Sequence, residues 1–136
     1  MPNSTADDLG KLVLRLTLGI LLLLHGIAKL RYGVDWLEGP LKARGLPAFV
    51  SYGVYAGEVL APVLIILGLF SRVGALLAIV SMLFAIGLMH MDHLWAIGKT
   101  GGWELELQGF YLLMSVVLLL QGAGRFSLGG VSGRWN

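Results

Sequence analysis

Ionisable side chains inside long apolar runs are where chemistry is expected in this chain. In "LLLLHGIAKL", His25 and Lys29 stand at i and i+4, so a helix puts them on one face. Arg15 precedes Lys29 by fourteen residues, two heptads, and falls near the same stripe. Acidic partners must come from elsewhere. Glu58 lies inside "YAGEVLAP", with Tyr55 at i−3 and Ser51 at i−7 on one polar face. Glu104 shares a second polar face with Gln108 and Tyr111, at i+4 and i+7, while Glu106 points the opposite way. An ionisable group within a bilayer costs roughly 2.5–3.5 kcal/mol, so such groups should face the protein interior and be paired. A bundle that carries Glu58 and Glu104 to His25 and Lys29 would build a polar cluster able to donate to a ligand's oxygens and relay protons.

Each of these residues also has a structural reading. Lys29 and Arg15 lie near opposite ends of their run, within snorkelling reach of water. His25 can be a satisfied packing residue, and Glu58 a hydrogen-bonded helix contact. Glu58 is the hardest to dismiss, because a carboxyl at that depth must be neutral or paired. His90 and His93, in "HMDH", read as an exposed interfacial pair, and no metal site is expected. Met82 and Met89, a heptad apart, read as packing. His25 with His90 on different spans is a conceivable haem b pair that nothing in the sequence favours. There is no phosphate loop, no Ser-His-Asp order and no Glu-x-x-His pair.

The elements that must position these groups are membrane helices. Of 136 residues, 57% are hydrophobic and only 13% charged, with mean hydropathy +0.81. A soluble domain usually carries about 25% charged residues. Four apolar runs approach the ~20 residues needed to cross a bilayer. They cover about 12–30, 48–70, 72–90 and 103–121. The runs are continuous rather than alternating, so they predict helices, not barrel strands. The expected fold is an all-α, integral membrane four-helix bundle forming a single domain over 1–136. Pro62 should kink the second span and free backbone carbonyls. "FSRV", residues 70–73 with Arg72, is the expected tight turn between spans two and three. Residues 31–47 are expected to be a polar loop, and the segment "GAGRFSLGGVSGRWN" a loose Gly-rich tail. Trp36, Trp95 and Trp103 lie near expected interfaces.

Charge and cysteine content exclude several classes. A net charge of +2 with no basic run gives no case for nucleic acid. The absence of Cys removes disulfides, thiol redox chemistry and thiolate metal sites. The polar start, "MPNSTADDLGK", lacks the basic start of a secretory signal, so the first run reads as a retained span. Four spans put both termini and the 70–73 turn on one side, with Lys11, Arg15, Arg72, Arg125 and Arg134. The other side holds Lys29, Arg31, Lys42, Arg44 and Lys99, so the count is five against five. Both termini are assigned to the cytoplasm on the retained start alone.

Taken in order, the motifs resemble the DoxX family of small four-span membrane proteins over about residues 10–130. They are "LVLRLTLG" (Arg15), "HGIAKL" (His25, Gly26, Lys29), "GEVLAPVLIILGLFSRVGAL" (Glu58, Pro62, Gly68, Arg72), "GGWELEL" (Glu104) and "GAGRFSL" (Gly122, Gly124, Ser127). The family often has an Asp after the last Ser-Leu, where this chain has Gly129. The resemblance implies a multi-pass protein of the bacterial inner (plasma) membrane. It also implies a link to quinone chemistry, since the family is named for association with a thiosulfate–quinone oxidoreductase; more distant relatives act as cargo receptors.

Three functions stay open at this stage. One is a redox-associated subunit that handles a quinone through His25, Lys29, Tyr55 and Tyr111, with Glu58 or Glu104 relaying protons. Such a chain would be at most a subunit of a membrane oxidoreductase. The second is a non-enzymatic scaffold that recruits a protein partner through the 31–47 loop, or forms a homo-oligomer. The third is a transporter of a small solute or protons.

Overall fold

The computed structural model describes residues 4–136. Helix α1 (Thr5–Tyr32) is the longest element. Ser4 accepts from the Asp7 amide as N-cap, and Asp7 and Asp8 occupy the first turn. Lys29 and Arg31 lie in the last turn, and Gly33 closes the helix at positive φ. Its buried face runs Asp8, Arg15, Leu18, Gly19, Leu22 and Gly26, the spacing of one helical stripe.

The segment after α1 is not simply a polar loop. It holds the short helix α2 (Glu38–Ala43), and Val34, Leu37 and Leu41 are buried against Val50, Val54, Tyr55 and Leu88. The apolar minority of that segment thus roofs one end of the bundle. Helix α3 (Ala48–Leu67) and helix α4 (Ser71–Met89) form an antiparallel hairpin. The turn between them is 68–70, with Gly68 and Phe70 in the left-handed region, so Arg72 is already helical and the expected 70–73 turn lies earlier. Helix α5 (Glu106–Gln121) completes the bundle. It is 16 residues long and starts after the expected 103. Residues 96–104 instead make a small loop, with an antiparallel bridge between Ile97 and Trp103 and the Trp103 indole donating to the Leu94 carbonyl at 2.7 Å.

Neighbours pack in the ring α1–α3–α4–α5. Leu18, Leu22, Ala61, Ile65, Ala75, Ala78, Met82 and Leu118 form the centre, while much of the outer surface is Leu, Ile, Val and Phe. Helices α1, α3 and α4 are long and apolar enough to cross a membrane. No strand occurs among the described residues. The protein is an all-α membrane protein with an apolar surface facing lipid.

The C-terminal segment overturns the expectation of a loose tail. Its polar groups close one end of the bundle. Arg125 pairs with buried Asp8 at 3.3 Å and donates to Thr5 Oγ1 at 2.8 Å. The Asn136 carboxamide oxygen accepts from the Ser71 amide and hydroxyl at 3.1 and 2.8 Å. Its nitrogen donates to the Gly130 carbonyl at 2.9 Å. Glycine allows the close approach: a Cβ on Gly129 would stand 2.7 Å from that nitrogen.

Candidate functional site

The π turn in α3, Ala56–Leu60, is the local feature that builds the site. Pro62 has no N–H to give to the carbonyls four and five residues back, so the α pattern cannot continue through Glu58. The Ala61 amide reaches instead to the Ala56 carbonyl, five residues back. Such single-turn widenings often lie at functional sites. Helix α1 meets this turn at Gly26, where a Cβ would run into the Glu58 carbonyl. Gly26 is therefore what lets α1 come close enough for Lys29 to donate to Glu58 Oε2. Glu58 is only 5% exposed, so the ammonium of Lys29 compensates a carboxylate that has lost water.

A cavity of about 440 Å³ opens beside this pair. Its wall is mostly apolar, drawn from Val50, Val54, Leu77, Val80, Phe84, Ala85, Leu88 and Leu107, with Trp36 and Leu37 as roof. The polar groups on it are His25, Lys29, Glu58, Ser81, His90, Gln108 and Tyr111. The Tyr111 ring meets His25 edge-on at 5.7 Å between centroids. Few polar groups in a largely apolar concavity is the usual make-up of a small-molecule site. Among the described residues, no group of three or more His, Asp or Glu is placed to hold a metal.

Several of the sequence-derived candidates lie elsewhere. Glu104 is exposed in the loop before α5, where its amide donates to the Ala96 carbonyl at 3.0 Å. It is neither helical nor a wall residue, because α5 begins two residues later. Gln108 and Tyr111 do face the cavity without it. The Tyr55 hydroxyl turns away and donates to the Lys29 carbonyl at 3.1 Å, fastening α3 to the end of α1. Ser51 donates to the Ala48 carbonyl at 2.7 Å. His90 borders the cavity whereas His93 is exposed, so the two do not act as a pair.

Arg15 is the largest departure. It does not join the polar cluster, which lies about 20 Å away along α1 at 1.5 Å per residue. Its guanidinium is 1% exposed and donates to four carbonyls: Ile65 at 3.0 Å, Ile66 at 3.2 Å, Ala123 at 3.0 Å and Phe126 at 2.8 Å. Neighbouring carbonyls are met by backbone: Leu64 by Gly68 and Leu69, Leu67 by Leu128, Gly68 by Gly129. Arg72 repeats the device on α5, donating to the Leu119 carbonyl at 3.2 Å. Helix C-termini leave carbonyls without partners, and the dipole there favours a cation, so Arg15 sits stably with no carboxylate. Sequence reading missed this because the acceptors are main-chain atoms, which leave no residue-type signature.

The comparisons agree with the motifs. The DoxX family model matches residues 10–91. "Putative oxidoreductase CatD" of Bacillus subtilis is 34% identical over 85 residues, 60% of this chain and 56% of that protein. The chain thus spans little more than half the length of that relative. "Uncharacterized membrane protein Rv3486" of Mycobacterium tuberculosis is 28% identical over 128 residues, 85% of this chain and 76% of that protein. No solved structure matches. With the family match running from α1 through α4, across both Lys29 and Glu58, the chain belongs to the DoxX family of membrane proteins.

Proposed function

We propose that this chain is a quinone-handling subunit of a membrane oxidoreductase, with the Lys29–Glu58 cavity as its site. One observation carries the reading: a buried carboxylate–ammonium pair opens onto a mostly apolar cavity of about 440 Å³. That volume lies within the roughly 300–1,000 Å³ of small-molecule sites. A quinone ring asks for apolar walls and a donor to each carbonyl oxygen. Tyr111, His25, Gln108 and Lys29 are the donors available, and among the described residues the one side-chain hydrogen bond drawn from them is the Lys29 contact to Glu58. Reduction of a quinone to the quinol takes two electrons and two protons. Glu58 is the candidate to pass protons, because its carboxyl borders the cavity beside Lys29. The chain has no Cys and no cofactor motif, so the electrons come from a partner protein that carries a redox centre. The name of the Bacillus relative, "Putative oxidoreductase CatD", accords with that role.

We place the single domain in the bacterial cell (inner) membrane, with both termini in the cytoplasm. The scaffold alternative would use the exposed part of the 31–47 segment, Trp36 included, since Val34, Leu37 and Leu41 turn inward. The transporter alternative rests on Pro62 alone.

The test is gentle purification from native membranes, followed by quinone extraction, an absorption spectrum and identification of bound proteins. Stoichiometric quinone that is lost in Glu58→Gln is the expected result. A stable protein partner with no quinone in wild type would replace this reading with the scaffold.

A further inference from the structure

We infer that the cavity takes a ligand with a long apolar chain, and that this ligand enters sideways from the bilayer core through a slot between α3 and α4. The inference rests on the quinone reading above for the head group, but on separate observations for the chain and the route.

The slot lies where α3 presents Gly53 and Ala56 to the cavity, one turn beyond the point at which Gly57 packs on Ser81 of α4. A Cβ on Gly53 would meet nothing within 4 Å. Facing Gly53 and Ala56 on α4 are Val80 and Phe84, which border the same cavity yet are 57% and 37% exposed. Exposed wall residues mark the mouths: Val80 and Phe84 here, Trp36 at the roof and Leu107 on α5. Val80 stands midway between Ser71 and Met89, the ends of α4. A helix of this length is close to the ~30 Å hydrocarbon thickness, so that edge of the mouth is near mid-bilayer. Water and polar solutes are scarce at that depth, while acyl and isoprenoid chains are abundant.

The Lys29–Glu58 pair lies on the α1 side of the cavity, across from Val80 and Phe84. Lys29 is in the last turn of α1, under the roof formed by Trp36 and Leu37. The cavity therefore runs from a polar head site to an apolar mouth in lipid. A molecule built the same way, with acceptor oxygens at one end and one flexible apolar chain at the other, fits without placing a polar group in hydrocarbon. The chain lies against Val80 and Phe84 and continues into the membrane.

The experiment uses the full chain in lipid nanodiscs with two probes. One is a dimethoxy-methyl-benzoquinone without a chain; the other is the same head on a decyl chain ending in a photoreactive diazirine. Gly53→Leu is the slot variant, and a Cβ at Gly53 meets nothing within 4 Å, so the variant can fold. In wild type, photo-adducts are expected on Val80, Phe84 and their α3 neighbours. Gly53→Leu is expected to weaken the chain-bearing probe at least tenfold and the chainless probe less than threefold. Adducts confined to the α1–α5 side or to the loops would overturn lateral entry, as would equal weakening of both probes, and either result leaves the quinone reading standing. Failure of both probes to bind wild type would remove the quinone reading and this inference with it.

Discussion

Helix α1 places two cations on one stripe, Arg15 and Lys29, and the bundle treats them differently. At the end that gathers the α3–α4 turn and the C-terminal segment, Arg15 is enclosed by four carbonyls. At the opposite end, Lys29 meets a carboxylate beside an open cavity. The first arrangement is saturated: backbone acceptors surround the guanidinium, and little room is left for a ligand. The second has spare capacity, because Tyr111, His25 and Gln108 face a space larger than they fill. Burial of an ionisable group in a membrane protein therefore does not by itself mark a site. What marks it is burial next to volume.

Breaking the saturated end should have the largest effect. Arg15→Met strands four carbonyls, and an unsatisfied buried polar group costs about 1–3 kcal/mol. Little folded protein should accumulate, and thermal unfolding in detergent should show the loss. Arg15→Lys should rescue only in part, because a point charge cannot copy the guanidinium fork. Survival of Arg15→Met at wild-type stability would end the distinction between the two ends.

The open end should answer differently. Glu58→Gln leaves Lys29 without its counter-charge and should cost about 1–3 kcal/mol, while abolishing ligand binding. The double variant Lys29→Met, Glu58→Leu should regain stability without regaining binding, since a well-packed apolar pair often replaces an ion pair at no cost. A double-mutant cycle on melting and binding separates the two effects. If stability and binding recovered together, the pair would be helix glue rather than a site.

Gly26→Ala moves the geometry of the open end without changing its charge. The methyl group meets the Glu58 carbonyl, so α1 and α3 must part, at a cost of about 1–3 kcal/mol. Binding should fall further than stability, because Lys29 and Glu58 separate. The smallest effect belongs to Trp95→Ala. Trp95 is 89% exposed on the loop after α4, and its loss should change unfolding by about 0.5 kcal/mol or less.

Much of this architecture is legible in the amino-acid order, for physical reasons. Bilayer spans need long apolar runs, and α1, α3 and α4 each contain one, although α1 begins at Thr5, well before the run expected from about residue 12. Pro62 announces a freed carbonyl, and the π turn follows. The i, i+4 spacing of His25 and Lys29 announces a shared face, and both border the cavity. The errors cluster where the contact is to backbone or to a distant segment. Glu104 looked like a helix start because "GGWELEL" is apolar enough to join α5, yet the Ile97–Trp103 bridge takes those residues into a loop. The Gly-rich C-terminal segment looked loose because glycine weakens local structure. In the folded chain the same glycines allow Asn136 to pack against Gly129 and reach Ser71.

Amino-acid order alone requires that the chain live in lipid, that it cross as helices, and that Glu58 have a partner. Each follows from transfer free energy, which depends on residue type and local spacing alone. The packing of the helices sets which cation that partner is, turns Arg15 to main-chain oxygens instead, and leaves a cavity beside Lys29. Carbonyl acceptors and empty volume belong to no residue type; they arise where helices α1, α3, α4 and α5 meet.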